Sequence, residues 1–279
     1  MTDFLQANEP IIRLSAFAGV LIAMMLWELL APRRNDVTRL VRWISNLGVV
    51  VLNTLVLRLL FPTAAVGLAI TAERNGWGLL NTLAPPTWLS FVVSLAVLDV
   101  AIYLQHVLFH AVPVLWRLHR MHHADLAFDV TTGLRFHPVE IILSMCFKLA
   151  VIAALGPPVA AVLVFEVVLN ATSMFNHGNV RIPLTLDRLL RLVVVTPDMH
   201  RVHHSIVPRE TNSNFGFSVS WWDRLFGTYR AQPEGGQEGM TIGIEQFRTS
   251  RDRWLDTMLV QPFQGPASSY PINRGEDHA

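Results

Sequence analysis

Ten of the eleven histidines in this 279-residue chain fall between His106 and His204, and only His278 lies elsewhere. His106 and His110 are four residues apart, which sets both imidazoles on one face of a helix. His119, His122 and His123 follow the pattern i, i+3, i+4, and His200, His203 and His204 repeat it, so each triplet presents its rings from one side of a helix. One such pair would say little, because amphipathic helices carry histidine by chance. Two identical triplets joined to a pair read as a metal-binding set. The single cysteine, Cys146, sits in an apolar run, so any metal must be held by nitrogen and oxygen rather than thiolate. Imidazole suits zinc, copper, iron and nickel alike, so donor type does not choose the metal. Number does more: one zinc takes three or four ligands, while the pair and triplets offer at least eight, and two metals are implied. With neither H-E-x-x-H nor a Ser-His-Asp arrangement, a histidine-rich metal pair points to oxygen activation rather than hydrolysis.

The elements that must carry these side chains are apolar. Hydrophobic residues make up 52% of the chain and charged ones only 15%, which is too apolar for a soluble domain. The net charge is +1 with no basic run, so nothing supports nucleic-acid binding. Leu14 to Ala31, Ile44 to Phe61 and Trp88 to Leu108 are each long enough to cross the hydrocarbon, which takes about 20 residues. Val139 to Phe175 is broken by Gly156-Pro157-Pro158 and reads as a helical hairpin that goes in and comes back. The first run lacks a charged leader and a cleavage site and is expected to be a retained anchor. Arg33, Arg34, Arg39 and Arg42 crowd the loop after it and place that loop in the cytoplasm, while Thr71 to Thr87 falls outside. Every histidine cluster then lands on the cytoplasmic side. Arginine carries nearly all the positive charge, as GC-rich bacterial genomes favour, so a bacterial inner membrane is the expected location. The expected fold is all-α, an integral membrane helical bundle with a cytoplasmic histidine-rich di-metal helical cap. Residues 1–87 would be N-terminal spans and loops, 88–230 the catalytic domain, and 231–279 a cytoplasmic C-terminal tail. In that tail Ile244 to Leu259 could form a short amphipathic helix, and the last dozen or so residues look disordered.

Several motifs resemble the fatty acid hydroxylase and sterol desaturase superfamily. They are Asp99, Tyr103, His106 and His110, then Pro113, Leu115-Trp116, His119 and His122-His123; Arg135-Phe136-His137-Pro138; Asn176-His177-Gly178-Asn179; and Thr196-Pro197-Asp198-Met199-His200 through His203-His204, followed by Asn212, Asn214, Gly216 and Trp222 to Thr228. The resemblance covers roughly residues 95 to 230. It implies two iron ions, molecular oxygen as co-substrate, external electrons, and hydroxylation or desaturation of a lipid-like substrate. Val107 stands where that family commonly has arginine, and Phe215 where it often has tyrosine, which leaves the branch of the family open.

Asp99 and Tyr103 share the face of His106 and His110, so they are the candidate catalytic side chains, with Asp99 placed to orient an imidazole through its free N–H. Glu166, Asn170, Ser173 and His177 form a parallel stripe, and a carboxylate within a span is a functional candidate by default. Lys148 and Arg58 are expected to reach the membrane boundary. The candidate metal set is His106, His110, His119, His122, His123, His137, His177, His200, His203 and His204. For His137, the alternative is a hydrogen bond that closes its loop. No G-x-G-x-x-G and no C-x-x-C-H occur, so reducing equivalents are expected from an external electron-donor protein. Two rival readings are a membrane metal transporter, which should place its donors at the bilayer midplane, and a metal-dependent membrane hydrolase.

Overall fold

Helix boundaries follow the punctuation of the chain. The computed structural model describes residues 2–35 and 39–272, with side chains from residue 7 onward. The principal helices are α1 (Thr2–Leu30), α2 (Arg39–Leu60), α3 (Ala64–Asn75), α4 (Leu79–Leu83), α5 (Thr87–Ala111), α6 (Pro113–His123), α7 (Pro138–Leu155), α8 (Val159–Asn176), α9 (Leu184–Leu190) and α10 (Pro197–His203). Proline opens α6, α7 and α10 at the first turn, where its missing N–H costs nothing. Gly156 ends α7 at φ +67° and Pro158 starts α8, which makes the hairpin turn. Among the described residues there is no strand, only isolated bridges such as Pro32 to Val180.

Five helical segments are long and apolar enough to cross a membrane: Ala7–Leu30, Arg39–Leu83, Thr87–Ala111, Pro138–Leu155 and Val159–Asn176. Their outward faces carry large exposed apolar side chains, among them Leu14, Ile22, Leu59 and Val92. Water would not tolerate that surface and lipid does, so the chain is an integral membrane protein. Ala65, Ala69, Leu98, Ile152, Val162 and Phe165 form the core between α3, α5, α7 and α8. Helix α3 corrects the expectation of an outer loop from Thr71, because Thr71 to Asn75 are its last turns. Its fully buried Ala65, Ala69 and Ala72 let its backbone sit close against the hairpin.

Two buried polar contacts tie the N-terminal helices to the histidine-bearing segment. The Glu28 carboxylate accepts Val130 N–H at 2.7 Å and Asn179 N–H at 2.8 Å. Arg42 is fully buried and donates to Asp125 at 2.6 and 2.9 Å and to Asp129 at 2.8 Å. A further correction concerns Lys148, which does not extend to the boundary: it pairs with Glu166 across the hairpin at 2.7 Å, and Arg13 of α1 joins them at 3.1 Å. A buried carboxylate is held more cheaply by partners than left alone, which gives Glu166 a packing role away from the histidines.

Beyond residue 230 the chain folds back onto the cap. The helix expected over Ile244 to Leu259 is confined to Leu255–Val260. Arg120 draws the rest inward by donating to Pro266 O and Gln261 O at 2.6 Å each and to Gln264 O. Tyr270 is fully buried and stacks on Trp116 with ring centroids 5.5 Å apart. The disorder expected for the last residues is therefore not found up to Ile272, and the remainder, His278 included, lies outside the described residues.

Candidate metal centre

Four helix ends converge to build the centre. His106 and His110 come from the last turns of α5, and His119, His122 and His123 from the end of α6. His177 caps α8, while α10 contributes His200 and His203 with His204 at its C-cap. Thr196 starts α10 by accepting Met199 N–H at 3.4 Å, which fixes where its three histidines point. These nine imidazoles fall into two buried groups, one of His106, His110, His119, His123 and His203, the other of His122, His177, His200 and His204. Each triplet is divided between them. His119 and His123, four apart, share the first group while His122 joins the second; His200 and His204 share the second while His203 joins the first. The two groups abut, since the His123 and His204 rings stack 4.5 Å apart.

Hydrogen bonding at Nδ1 decides what each Nε2 can do. His106 Nδ1 lies 2.7 Å from Phe215 O and His203 Nδ1 2.7 Å from Ser213 O. A carbonyl only accepts, so both Nδ1 atoms carry the proton and both Nε2 atoms are bare lone pairs. Yet those Nε2 atoms face each other at 3.1 Å, and His119 Nε2 stands 3.1 Å from His106 Nε2 as well. Lone pairs at that distance repel unless a cation lies between them. Two donors at right angles on a metal with bonds of about 2.1 Å would be about 3 Å apart, so the donor set fits a metal ion. The second group repeats the geometry: His177 Nδ1 lies 2.8 Å from Ser173 O, and its Nε2 is 3.2 Å from His122 Nε2. Among the described residues both ring nitrogens of His204 are buried without a hydrogen-bond partner, a costly state that a bound cation would relieve.

The partners of the first group come largely from one loop. Asn212 Oδ1, Ser213 O and Phe215 O take the Nδ1 protons of His110, His203 and His106 at 3.0, 2.7 and 2.7 Å. Asn214, at φ +53°, lets the loop turn back, and its side-chain amide donates to Met199 O and Arg230 O at 2.8 Å each. Asp223 pins the same loop by accepting Phe215 N–H at 2.7 Å and Gly216 N–H at 3.0 Å. The fourth partner is Glu140, whose Oε1 sits 2.6 Å from His119 Nδ1. On the other side Gly133 is required by close approach, because a Cβ there would come within 2.9 Å of His177 Nδ1.

Burial keeps the rings neutral. It pushes His119 and His177 down to about 3 and His122, His123, His200, His203 and His204 well below the usual imidazole value, with neighbouring imidazoles adding to the effect for the last five. Neutral imidazole is the form that donates a lone pair to a metal. Aromatic rings close the walls: Phe136 stacks on His122 at 4.5 Å, Phe128 on His177 at 5.4 Å, and Phe217 lies 5.0 Å from His106.

Three expected site residues lie elsewhere. His137 is in neither group; its Nδ1 caps α7 by accepting Val139 N–H at 3.1 Å and its Nε2 lies 3.2 Å from Leu259 O. A histidine directly before Pro138 occupies the N-cap, where the backbone N–H groups of the first turn need an acceptor, and that need holds the ring away from the centre. Asp99 does not orient an imidazole either, since its carboxylate accepts the Trp222 indole N–H at 2.7 Å. Tyr103 bonds Thr228 Oγ1 at 2.9 Å and stacks on Phe226 at 5.4 Å. Both share a stripe with His106, but one turn or more further from the cap, where the Trp222 to Thr228 segment covers them. Sequence reasoning missed Glu140; the available signal was an acid in the first turn after His137-Pro138. Asn212 was visible in the motif without its role, and the carbonyls of Ser213 and Phe215 leave no mark in side-chain types.

Comparison with known proteins places this arrangement. Residues 91–228, which contain all nine grouped histidines, match the fatty acid hydroxylase family. The chain is 31% identical to ornithine lipid hydroxylase OlsE of Rhizobium tropici over 53% of this chain and 44% of that protein. It is 28% identical to alkylglycerol monooxygenase of Xenopus tropicalis over 62% and 37%, and 28% identical to cholesterol 25-hydroxylase of Rattus norvegicus over 51% and 47%. The matched segments thus span less than half the length of each of these relatives. No solved structure matches the chain.

Proposed function

We propose that this chain, which matches the fatty acid hydroxylase family over residues 91–228, is a membrane-bound, oxygen-dependent oxidoreductase that hydroxylates a C–H bond of a lipid. The observation that carries this reading is the pair of adjoining, buried, all-imidazole groups at the ends of apolar helices. The proposed metals are two iron ions, held by His106, His110, His119, His123 and His203 in one pocket and by His122, His177, His200 and His204 in the other. When bound, such a pair supplies the activation of molecular oxygen needed to attack an unactivated carbon.

The chain's own residues set the conditions. Asn212, Glu140 and the Ser213 and Phe215 carbonyls hold four imidazoles with Nε2 inward. Phe128, Phe136 and Phe217 exclude water from the space beside the rings. The substrate is a molecule that partitions into the bilayer, in keeping with relatives named as hydroxylases or monooxygenases of ornithine lipid, alkylglycerol and cholesterol. Those names favour hydroxylation over desaturation. The two electrons consumed per turnover come from a separate donor protein docking on the cap. The location in this reading is the cytoplasmic face of a bacterial inner membrane; its cytoplasmic side is supported by the arginines after α1, of which Arg33 and Arg34 bind the cap directly, at Glu238 Oε1 (2.6 Å) and Met240 O (2.9 Å).

The test is turnover by the full chain in lipid nanodiscs with an electron-donor system under isotopically labelled oxygen gas. Two iron ions per chain and one labelled oxygen atom in the lipid product are expected. Label arriving from water, or turnover without oxygen, would replace this reading with a hydrolytic one.

A further inference from the structure

The C-terminal segment beyond the family match reaches the five-histidine pocket. Ile272 N–H donates to the backbone carbonyl of His110 at 2.9 Å, and two residues earlier the Tyr270 carbonyl accepts Asn212 Nδ2–H at 2.7 Å. The second contact fixes a choice that Asn212 could otherwise make either way. A primary amide can present its oxygen or its NH2 group to a neighbour, and the two orientations are nearly the same shape. Because a backbone carbonyl only accepts, Tyr270 O holds the NH2 group on its side. The amide oxygen is thereby turned toward His110 Nδ1, 3.0 Å away. That oxygen also only accepts, so His110 keeps its proton on Nδ1 and turns a bare Nε2 toward His123 Nε2 at 3.2 Å. With the amide reversed, an NH2 group would face Nδ1, the proton would move to Nε2, and the imidazole could no longer donate to a metal.

The segment is anchored as such a role requires. Tyr270 is fully buried, stacks on Trp116 and donates its hydroxyl hydrogen to Ile206 O at 2.7 Å. Trp116 in turn lies 4.8 Å from the His110 ring and 5.2 Å from that of His123, so the anchor leans on the pocket itself. Upstream, Arg120 gathers the Pro266, Gln261 and Gln264 carbonyls. Residues 266–272 make no such contact with the four-histidine pocket among the described residues; there the C-terminal chain meets only backbone, Gly243 N–H donating to the His204 carbonyl at 3.0 Å, and His204 Nδ1 has no partner.

We propose that residues 266–272 form a strap that is part of the five-histidine metal site, with Tyr270 and Asn212 as positioning residues that set the donor tautomer of His110. The inference rests on the di-metal reading above. It predicts that a loss in the strap is felt at one metal and not at the other.

The experiment compares iron per chain, at a fixed concentration of competing chelator, in four full-domain proteins: the complete chain, a chain ending at Ser268, the variant Asn212→Leu, and the shortened chain carrying Asn212→Asp. Mössbauer spectra separate the two irons, and the five-histidine signal is the one that His106→Ala removes. Shortening the chain and Asn212→Leu should each weaken the five-histidine iron by about 10- to 100-fold, the usual effect of losing an outer partner, and leave the other signal in place. Asn212→Asp should restore that iron in the shortened chain, because a carboxylate has no NH2 group and offers an acceptor to His110 whichever way it turns. Equal loss of both irons, unchanged binding after shortening, or failure of Asn212→Asp to rescue would overturn the proposal. A complete chain that binds no pair of metals would instead refute the di-metal reading itself.

Discussion

Glu140 hydrogen-bonds a grouped imidazole, its Oε1 2.6 Å from His119 Nδ1, and is buried with it. A carboxylate there keeps the ring in the donor tautomer and makes Nε2 more basic. Glu140→Gln retains the shape but can present its NH2 group instead, so metal affinity should fall by about 10- to 100-fold in a chelator competition. Asp99→Asn should leave metal affinity unchanged, because Asp99 serves the Trp222 indole. Equal losses for the two variants would show that the geometry has been assigned to the wrong acid. His137→Ala removes a helix cap, which costs about 1 kcal/mol of stability, and metal per chain should be untouched. A fall in metal content with His137→Ala would return that residue to the ligand set.

At the scale of elements, the two pockets differ in how firmly their rings are held. Four of the five rings in the first pocket have an Nδ1 acceptor, in His106, His110, His119 and His203. In the second His177 does, on Ser173 O, and His200 faces the Asn214 backbone, while His122 and His204 have unpartnered Nδ1 atoms among the described residues. Since each such partner is worth about 10- to 100-fold in affinity, a chelator titration should remove metal in two steps and empty the four-histidine pocket first. Iron per chain against chelator concentration reads this directly, and a single-step loss would refute it. The inequality arises because the loop from Asn212 to Phe215 serves the α5 and α10 rings of one pocket, whereas the second pocket is bounded by the phenyl rings of Phe128 and Phe136.

Across the whole molecule, the spans and the cap are one unit. Arg42, near the start of α2, is buried against Asp125 and Asp129 in the loop that follows α6, and Asn46 also bonds Asp125. Nearby charges hold the Asp125 carboxyl well below its usual range despite the penalty of burial, Arg42 contributing most. Arg42→Met leaves two carboxylates without their cation and should destabilise the protein by about 3–5 kcal/mol, seen as a lower midpoint of thermal unfolding in detergent or nanodiscs. The loss should appear equally in metal-free and metal-loaded protein, since Arg42 acts on Asp125, Asp129 and Thr132, none of them a proposed ligand. A destabilisation confined to the loaded protein would mean that the network acts through the metals.

The sequence by itself determined the helical membrane architecture and which histidines could matter, because both are written locally: hydropathy in runs of a helix's length, and imidazoles at helical spacing. It also carried the family motifs from Asp99 to Thr228. Only the tertiary structure decided how the histidines divide, since the i, i+3, i+4 pattern spreads the three rings over about 100° of a helix and two converging helices can share them between pockets in more than one way. It also decided that His137 caps a helix, that Asp99 belongs to Trp222, and that Glu140 belongs to His119. Those assignments depend on which acceptor a folded backbone brings to each ring nitrogen. The segments that bring them, at residues 140, 212–215 and 266–272, are distant in the chain from the imidazoles they serve.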